Sequence, residues 1–163
     1  MSYQFLGSAC QEKSRKDELF GICDDENGTK AYTDIAKPAH WIATVSNPNA
    51  TEVSFIAVDK CVLFDNQEQG RGRCDGILVS ENQIYFVELK NLGAHWISGA
   101  VDQLESTIDF FKESHDIGCF KHKKAYACNK KRKHFQEIDN EENLKFFRKH
   151  RVRLDVQADI III

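Results

Sequence analysis

The chain has 163 residues, 42% of them apolar and 29% charged, with a formal net charge of −3. That length suits one domain able to bury a substantial core without staples, and the composition is ordinary for a soluble globular protein. No apolar run approaches the roughly 20 residues that cross a bilayer, and residues 1–7 lack the basic-then-apolar pattern of an export signal, so no membrane partner and a cytoplasmic location are expected. The six cysteines, Cys10, Cys23, Cys61, Cys74, Cys119 and Cys128, are therefore expected as reduced and mostly buried thiols. Cys61 and Cys74 flank a polar loop that can bring them together across adjacent strands.

In chain order, residues 11–19 allow a short helix with a poor apolar face. Residues 19–23 and 30–35 read as strands around a turn that contains Asn27-Gly28, a hairpin signal. Residues 41–45 form a further strand, and residues 53–64 form a long apolar strand interrupted by Asp59-Lys60. Two short apolar runs follow, residues 73–80 and 84–90, rich in Val, Ile, Tyr and Phe. From Trp96, the residues Ile97, Ala100, Val101, Leu104, Ile108 and Phe111 recur at helical spacing, and Gly118 is the expected stop. Residues 124–128 read as a strand parallel to the one before the helix. Residues 141–150 suggest a short helix, and residues 151–158 alternate as a half-exposed final strand. The expected organisation is a single domain over residues 1–163. Its core spans about 53–129, with a β-rich extension at 1–50 and a helix and strand at 141–163.

The runs 73–80 and 84–90 make a hairpin whose register has a chemical consequence. With Ser80 paired to Gln83 across the turn, counting outward sets Asp75 opposite Glu88. Directly opposed side chains lie roughly 4.5–5.5 Å apart at Cβ, and like charges so placed repel. Lys90 falls two residues beyond Glu88, on the same sheet face. Two acids and an ammonium thus converge where a divalent cation and a phosphate can sit.

Asp75, followed by Glu88-Leu89-Lys90 at the end of an apolar strand and then a helix, resembles the PD-(D/E)xK nuclease superfamily over roughly residues 53–129. Glu88-Leu89-Lys90 is the chain's only acid-x-Lys triplet, and Cys74 stands where the family often carries Pro. The resemblance implies an α/β, restriction-endonuclease-like fold with a mixed central sheet flanked by helices, here with a β-rich N-terminal region. It also implies a metal-dependent nuclease, in repair, restriction or defence. Mg²⁺ or Mn²⁺ would be held by Asp75, Glu88 and the backbone carbonyl of Leu89, with Lys90 orienting water or neutralising charge on phosphate. Some branches carry Gln-x-x-x-Tyr in the helix. Gln103 matches its first position as a catalytic-site residue, and Thr107 replaces the Tyr. Glu18 and Glu52 are candidate third acids.

Charge is unevenly spread: residues 1–120 hold 10 Lys/Arg against 19 Asp/Glu, a balance of −9, and residues 121–163 hold 12 against 6, a balance of +6. Lys121, Lys123, Lys124, Lys130, Lys131, Arg132 and Lys133 are the candidate nucleic-acid contacts, with DNA favoured over RNA as the partner. Their alternative role is simple solvation. Cys119, His122, Cys128 and His134 have zinc-ligand chemistry, although their spacing matches no common finger. The alternative function is a non-catalytic nuclease-fold protein that binds another protein, as an immunity or defence-assembly component. A homodimer paired through the final strand is also compatible with the sequence.

Overall fold

The computed structural model describes residues 3–64, 67, 71–132 and 140–163. The architecture is mixed α/β. Its elements in chain order are β1 (Leu19–Cys23), β2 (Tyr32–Asp34), β3 (Ala43–Ser46), β4 (Ser54–Ala57), β5 (Gly76–Val79), β6 (Gln83–Lys90), α1 (Ile97–Ser114), β7 (His122–Asn129), α2 (Asn140–His150), β8 (Arg153–Val156) and β9 (Asp159–Ile161). Five strands form one sheet in the order β4-β5-β6-β7-β8, and four form a second in the order β2-β1-β3-β9. Both sheets are mixed: β6 runs antiparallel to β5 and parallel to β7, and β3 runs antiparallel to β1 and parallel to β9.

Strand β6 explains the layering. It is buried on both faces, which is why it reads as an almost continuous apolar run. Ile84 and Phe86 join a core that includes Leu104, Ile108 and Phe111 of α1. Tyr85, Val87 and Leu89 point the other way, into a core shared with Phe20, Ile22, Val45 and Ile160 of the second sheet. The helices therefore cover one face of the five-stranded sheet and the second sheet covers the other. Each fully buried Leu, Ile or Phe in these layers contributes about 1.5–3 kcal/mol of transfer free energy.

Helix α1 follows its apolar stripe, burying Ala100, Val101, Leu104, Ile108, Phe110 and Phe111. It ends at Ser114 rather than at Gly118, which lies in a short 3-10 turn over Ile117–Cys119. Gly76 is required by close approach: a Cβ there would meet the Phe55 ring at 2.1 Å.

Four expectations are corrected. Residues 11–19 form no helix; the chain runs extended, and Gln11 and Arg15 bridge to Ile56 and Val53 beside β4. With no helical apolar face to bury, this segment instead satisfies its backbone against a strand edge. The long strand over 53–64 stops at Ala57. There the chain folds back, with Lys60 in the left-handed region (φ 67°) and the N–H groups of Cys61 and Leu63 both donating to Val58 O. That turn and the N-terminal segment bring Cys10 to Cys61, and the two form a disulfide. The thiols are thus not all reduced, and Cys61 pairs with Cys10 rather than lying beside Cys74. The strand expected over 151–158, finally, covers only Arg153–Val156 and is not the last: the chain turns into β9, which pairs with β3 and completes the second sheet.

Among the described residues, no helix is long and apolar enough to cross a membrane.

Candidate active site

The hairpin folds in the register its alternation requires. Gly76 opposes Val87, Ile77 opposes Phe86 and Val79 opposes Ile84, with Ser80 N–H donating to Gln83 O at 2.9 Å. The ladder ends at Gly76, because Asp75 N–H donates to Val87 O at 3.1 Å, the carbonyl of the residue already paired with Gly76; the turned chain nevertheless leaves the Asp75 carboxyl beside that of Glu88. Both carboxyls are deeply buried, with Asp75 8% and Glu88 2% exposed.

Few groups compensate these acids. Asp75 Oδ2 accepts the Leu89 N–H at 2.7 Å. Glu88 Oε2 lies 3.1 Å from Lys90 Nζ, while Glu88 Oε1 is buried without a donor. Burial pushes the Asp75 carboxyl up to about 7, against the pull of the Leu89 N–H. Glu88 rises well above the ordinary carboxylate range through burial and then through repulsion from Asp75, with Lys90 acting in the opposite sense. Two acceptors in hydrogen-bonding reach of each other need a proton or a cation between them.

Lys90 is held from two sides. Besides Glu88, its Nζ donates to Gln103 Oε1 at 2.6 Å, which draws the residue from the middle of α1 into the cluster. Part of the Lys90 side chain, 21%, remains open to solvent, so the cluster is reachable from outside. Gln103 also donates from Nε2 to Arg73 O at 3.4 Å. One turn further along α1, buried Thr107 accepts the Cys74 N–H at 2.7 Å and donates to Gln103 O at 3.0 Å. The segment carrying Asp75 is therefore fastened to α1 at successive residues. On its other side Arg73 Nε donates to Asp59 at 2.6 Å, and Asp59 N–H donates to Cys74 O at 3.2 Å.

The four residues Asp75, Glu88, Lys90 and Gln103 thus form one contiguous cluster. Glu18 and Glu52 do not join it. Glu18 is exposed just before β1, and Glu52 accepts from Ser14 beside a cavity at the opposite, Ser80–Gln83 end of the hairpin. Sequence reading passed over Asp59 and Asn129, and treated Thr107 only as a departure from a motif. Asn129 is fully buried at the end of β7, where Oδ1 accepts the Leu92 N–H at 3.2 Å and Nδ2 donates to Leu92 O at 2.9 Å. It fixes the chain just past Lys90. A lone Asn closing an apolar strand was the available signal.

The basic tract divides. Strand β7 pairs in parallel with β6 from Gln83↔His122 to Lys90↔Asn129. Lys130, Lys131 and Arg132 consequently sit at the Lys90 end of the sheet, where Lys130 N–H donates to Lys90 O at 2.8 Å. Arg132 also lines an open cleft of about 570 Å³ with His95 and Ser98 at the start of α1. Lys121, Lys123 and Lys124 lie at the other end of β7, roughly 25 Å away at about 3.3 Å per residue. There Lys123 donates to Phe120 O, and Lys124 pairs with Asp155 at 3.3 Å. Lys133 and His134 lie outside the described residues. The zinc grouping is not assembled by the rest, since Cys119 is exposed before β7 and Cys128 is buried near its far end.

Among the described residues, no group of three or more His, Cys, Asp or Glu side chains is arranged to hold a metal. A cation at this cluster would thus rest on two carboxylates, with backbone, water or substrate oxygens completing its shell. The orphaned Glu88 Oε1 and the two adjoining, sparsely compensated carboxyls fit such an ion.

No protein-family model, no curated protein and no solved structure matches this chain.

Proposed function

We propose that this chain is a metal-dependent nuclease of the PD-(D/E)xK, restriction-endonuclease-like type, hydrolysing phosphodiester bonds of nucleic acid, with DNA favoured over RNA. One observation carries the reading: two buried carboxyls, Asp75 and Glu88, stand together without enough donors, beside an ammonium that a helix glutamine holds in place. Neither a surface ion pair nor a packing role accounts for burying both acids.

Asp75 and Glu88 would hold Mg²⁺ or Mn²⁺ through hard oxygen ligands, with the Leu89 carbonyl as the backbone contribution. When bound, such an ion supplies positive charge that polarises a phosphate oxygen and acidifies a water. The chain's own residues do the rest. Burial favours the protonated form of both carboxyls, so a cation entering between them would displace a proton. Gln103 keeps Lys90 aimed along the acids, so its ammonium meets charge developing on a phosphate without first reorganising. Lys130, Lys131 and Arg132, at the same end of the sheet, take up backbone phosphates of a polyanion, supplying affinity but no sequence information.

The test is cleavage of a supercoiled plasmid and of a single-stranded RNA in Mg²⁺ and in Mn²⁺. Cleavage that needs the metal, is lost in Asp75→Ala and is strongly reduced in Lys90→Ala, with both variants folded, is the expected outcome. A second reading, a non-catalytic protein-binding module of the same fold, is favoured by Lys90 already being engaged by Glu88 and Gln103. Under that reading no metal supports cleavage and a protein partner co-purifies.

A further inference from the structure

The five-stranded sheet has two edges, and they are finished differently. Beside β4, the N-terminal segment forms bridges through Gln11 and Arg15. Strand β8 has β7 on one side and, among the described residues, no strand on the other. A groove of about 620 Å³ runs along that edge, lined by Asn143, Leu144 and Phe147 of α2 and by Arg153, Leu154 and Asp155 of β8. Leu144 and Phe147 are three apart, hence neighbours on the helix surface, and are 51% and 38% exposed. Between them in sequence, Phe146 turns inward and is buried in the core. An open strand edge flanked by an exposed Leu and Phe is a surface on which another chain pairs.

The charge pattern says which chain. Arg153 and Asp155 alternate with Leu154 and Val156, which are buried toward the helices. A two-fold axis through Leu154 would lay two copies of β8 antiparallel, with each Arg153 directly across from the other copy's Asp155. Opposite charges so placed attract, and the pattern matches only because the strand is complementary to itself. Hydrogen-bonded and non-hydrogen-bonded pairs alternate along an antiparallel ladder. A register centred on one residue therefore serves whichever of β8's backbone groups face outward. The same axis sets α2 antiparallel to its copy. The helix carries Glu141 and Glu142 in its first turn and Arg148 and Lys149 in its last, so each acidic end approaches a basic one.

We propose that the β8 edge and the Leu144–Phe147 face of α2 form a two-fold interface between two copies of this chain, joining two five-stranded sheets into one. The proposal stands independently of the nuclease reading.

Sedimentation velocity on the full chain over a concentration series tests it. The wild type is expected to show a concentration-dependent monomer–dimer equilibrium. Arg153→Asp and Asp155→Arg each bring like charges face to face twice, and each is expected to weaken the dimer at least tenfold. An equimolar mixture of these two variants restores the dimer, because acid meets arginine at both positions. The double swap R153D/D155R restores it too. That rescue separates the interface from the loss of the Lys124–Asp155 ion pair, which Asp155→Arg also removes. Phe147→Arg, at an exposed position, is expected to give a folded monomer by far-UV circular dichroism, and decides the matter should either charge variant misfold. A wild type that stays monomeric at sub-millimolar concentration overturns the proposal, as does a Phe147→Arg variant or pair of single charge variants that dimerise like wild type. A mixture that remains monomeric also overturns it, and so does a monomeric wild type that instead captures an acidic peptide on this edge.

Discussion

Each end of β6 buries a polar side chain, and the protein treats the two in opposite ways. At one end Gln83 is well partnered: Oε1 accepts from the Tyr85 hydroxyl and from the Ile163 N–H at 2.9 Å, and Nε2 donates to Ile163 O at 2.8 Å. The nearby Ser80 hydroxyl, neutral and small, is the buried group left over there. At the other end Glu88 is acidic, one of its oxygens lacks a donor, and Asp75 stands beside it. A neutral amide bonded through both its oxygen and its nitrogen is a fastening. Two carboxyls short of donors cost stability, and a fold retains that cost where the charge is used.

The largest expected difference between the two ends is in cleavage. Lys90→Ala should lower kcat/KM by about 10²–10³-fold, the usual loss for one preorganised electrostatic contact, and Asp75→Ala should remove activity altogether. Gln83→Ala should leave turnover unchanged. Equal losses at both ends, measured on a plasmid substrate, would collapse the distinction.

Metal binding should separate them next. At pH 8, Mn²⁺ at about 100 times its dissociation constant should stabilise the wild type by about 2.7 kcal/mol. Differential scanning fluorimetry should show that rise in Gln83→Ala and not in Asp75→Asn. Without metal, Gln83→Ala strands the Tyr85 hydroxyl and the Ile163 backbone, at a cost of ~1–3 kcal/mol. That corresponds to a fall in Tm of roughly 2–4 °C per kcal/mol.

The smallest effect is in the pH dependence of stability. Burial raises Asp75 to about 7 and Glu88 well above its ordinary range, so the native chain holds protons that the unfolded chain, titrating at roughly pH 4, has released. The resulting stability is fully present below about pH 4 and is lost as pH rises through about 7. Asp75→Asn should flatten that decline in a Tm-versus-pH series, and Gln83→Ala should leave it as steep as in the wild type.

How far the sequence could be read depended on whether the information was local. The hairpin register was available because a period of two fixes which residues share a face once the turn is placed, but it ends at Gly76↔Val87, so the neighbouring of Asp75 and Glu88 comes from a bend and not from the direct pairing expected. The apolar stripe of α1 was available for the same kind of reason, with a period of 3.6. Gln103 came into consideration through a motif, but its bond to Lys90 depends on where α1 packs. Thr107, Asp59 and Asn129 carried only weak local signals, none of which names a partner. Each is a single polar residue whose partner is supplied by a distant backbone or side chain. The division into two sheets was hidden because β6 is apolar on both faces, which does not reveal whether helices or strands cover each side. Residues 11–19 were misread because weak helical periodicity cannot show that an extended segment will bridge to another strand. The Cys10–Cys61 bond followed from that same unseen pairing.

The second sheet also has a history in time. Its strands β1, β2 and β3 come from residues 19–46, but β3 finds its parallel partner in β9, at Thr44↔Asp159 through Ser46↔Ile161. A ribosome adding about 5–20 residues per second makes β9 roughly 6–25 s after β3. During synthesis the early hairpin waits with an unpaired edge, the kind of surface on which nascent chains aggregate. Changes in residues 159–161 are therefore expected to reduce the yield of folded chains made in a cell more than they alter the behaviour of the chains that do fold.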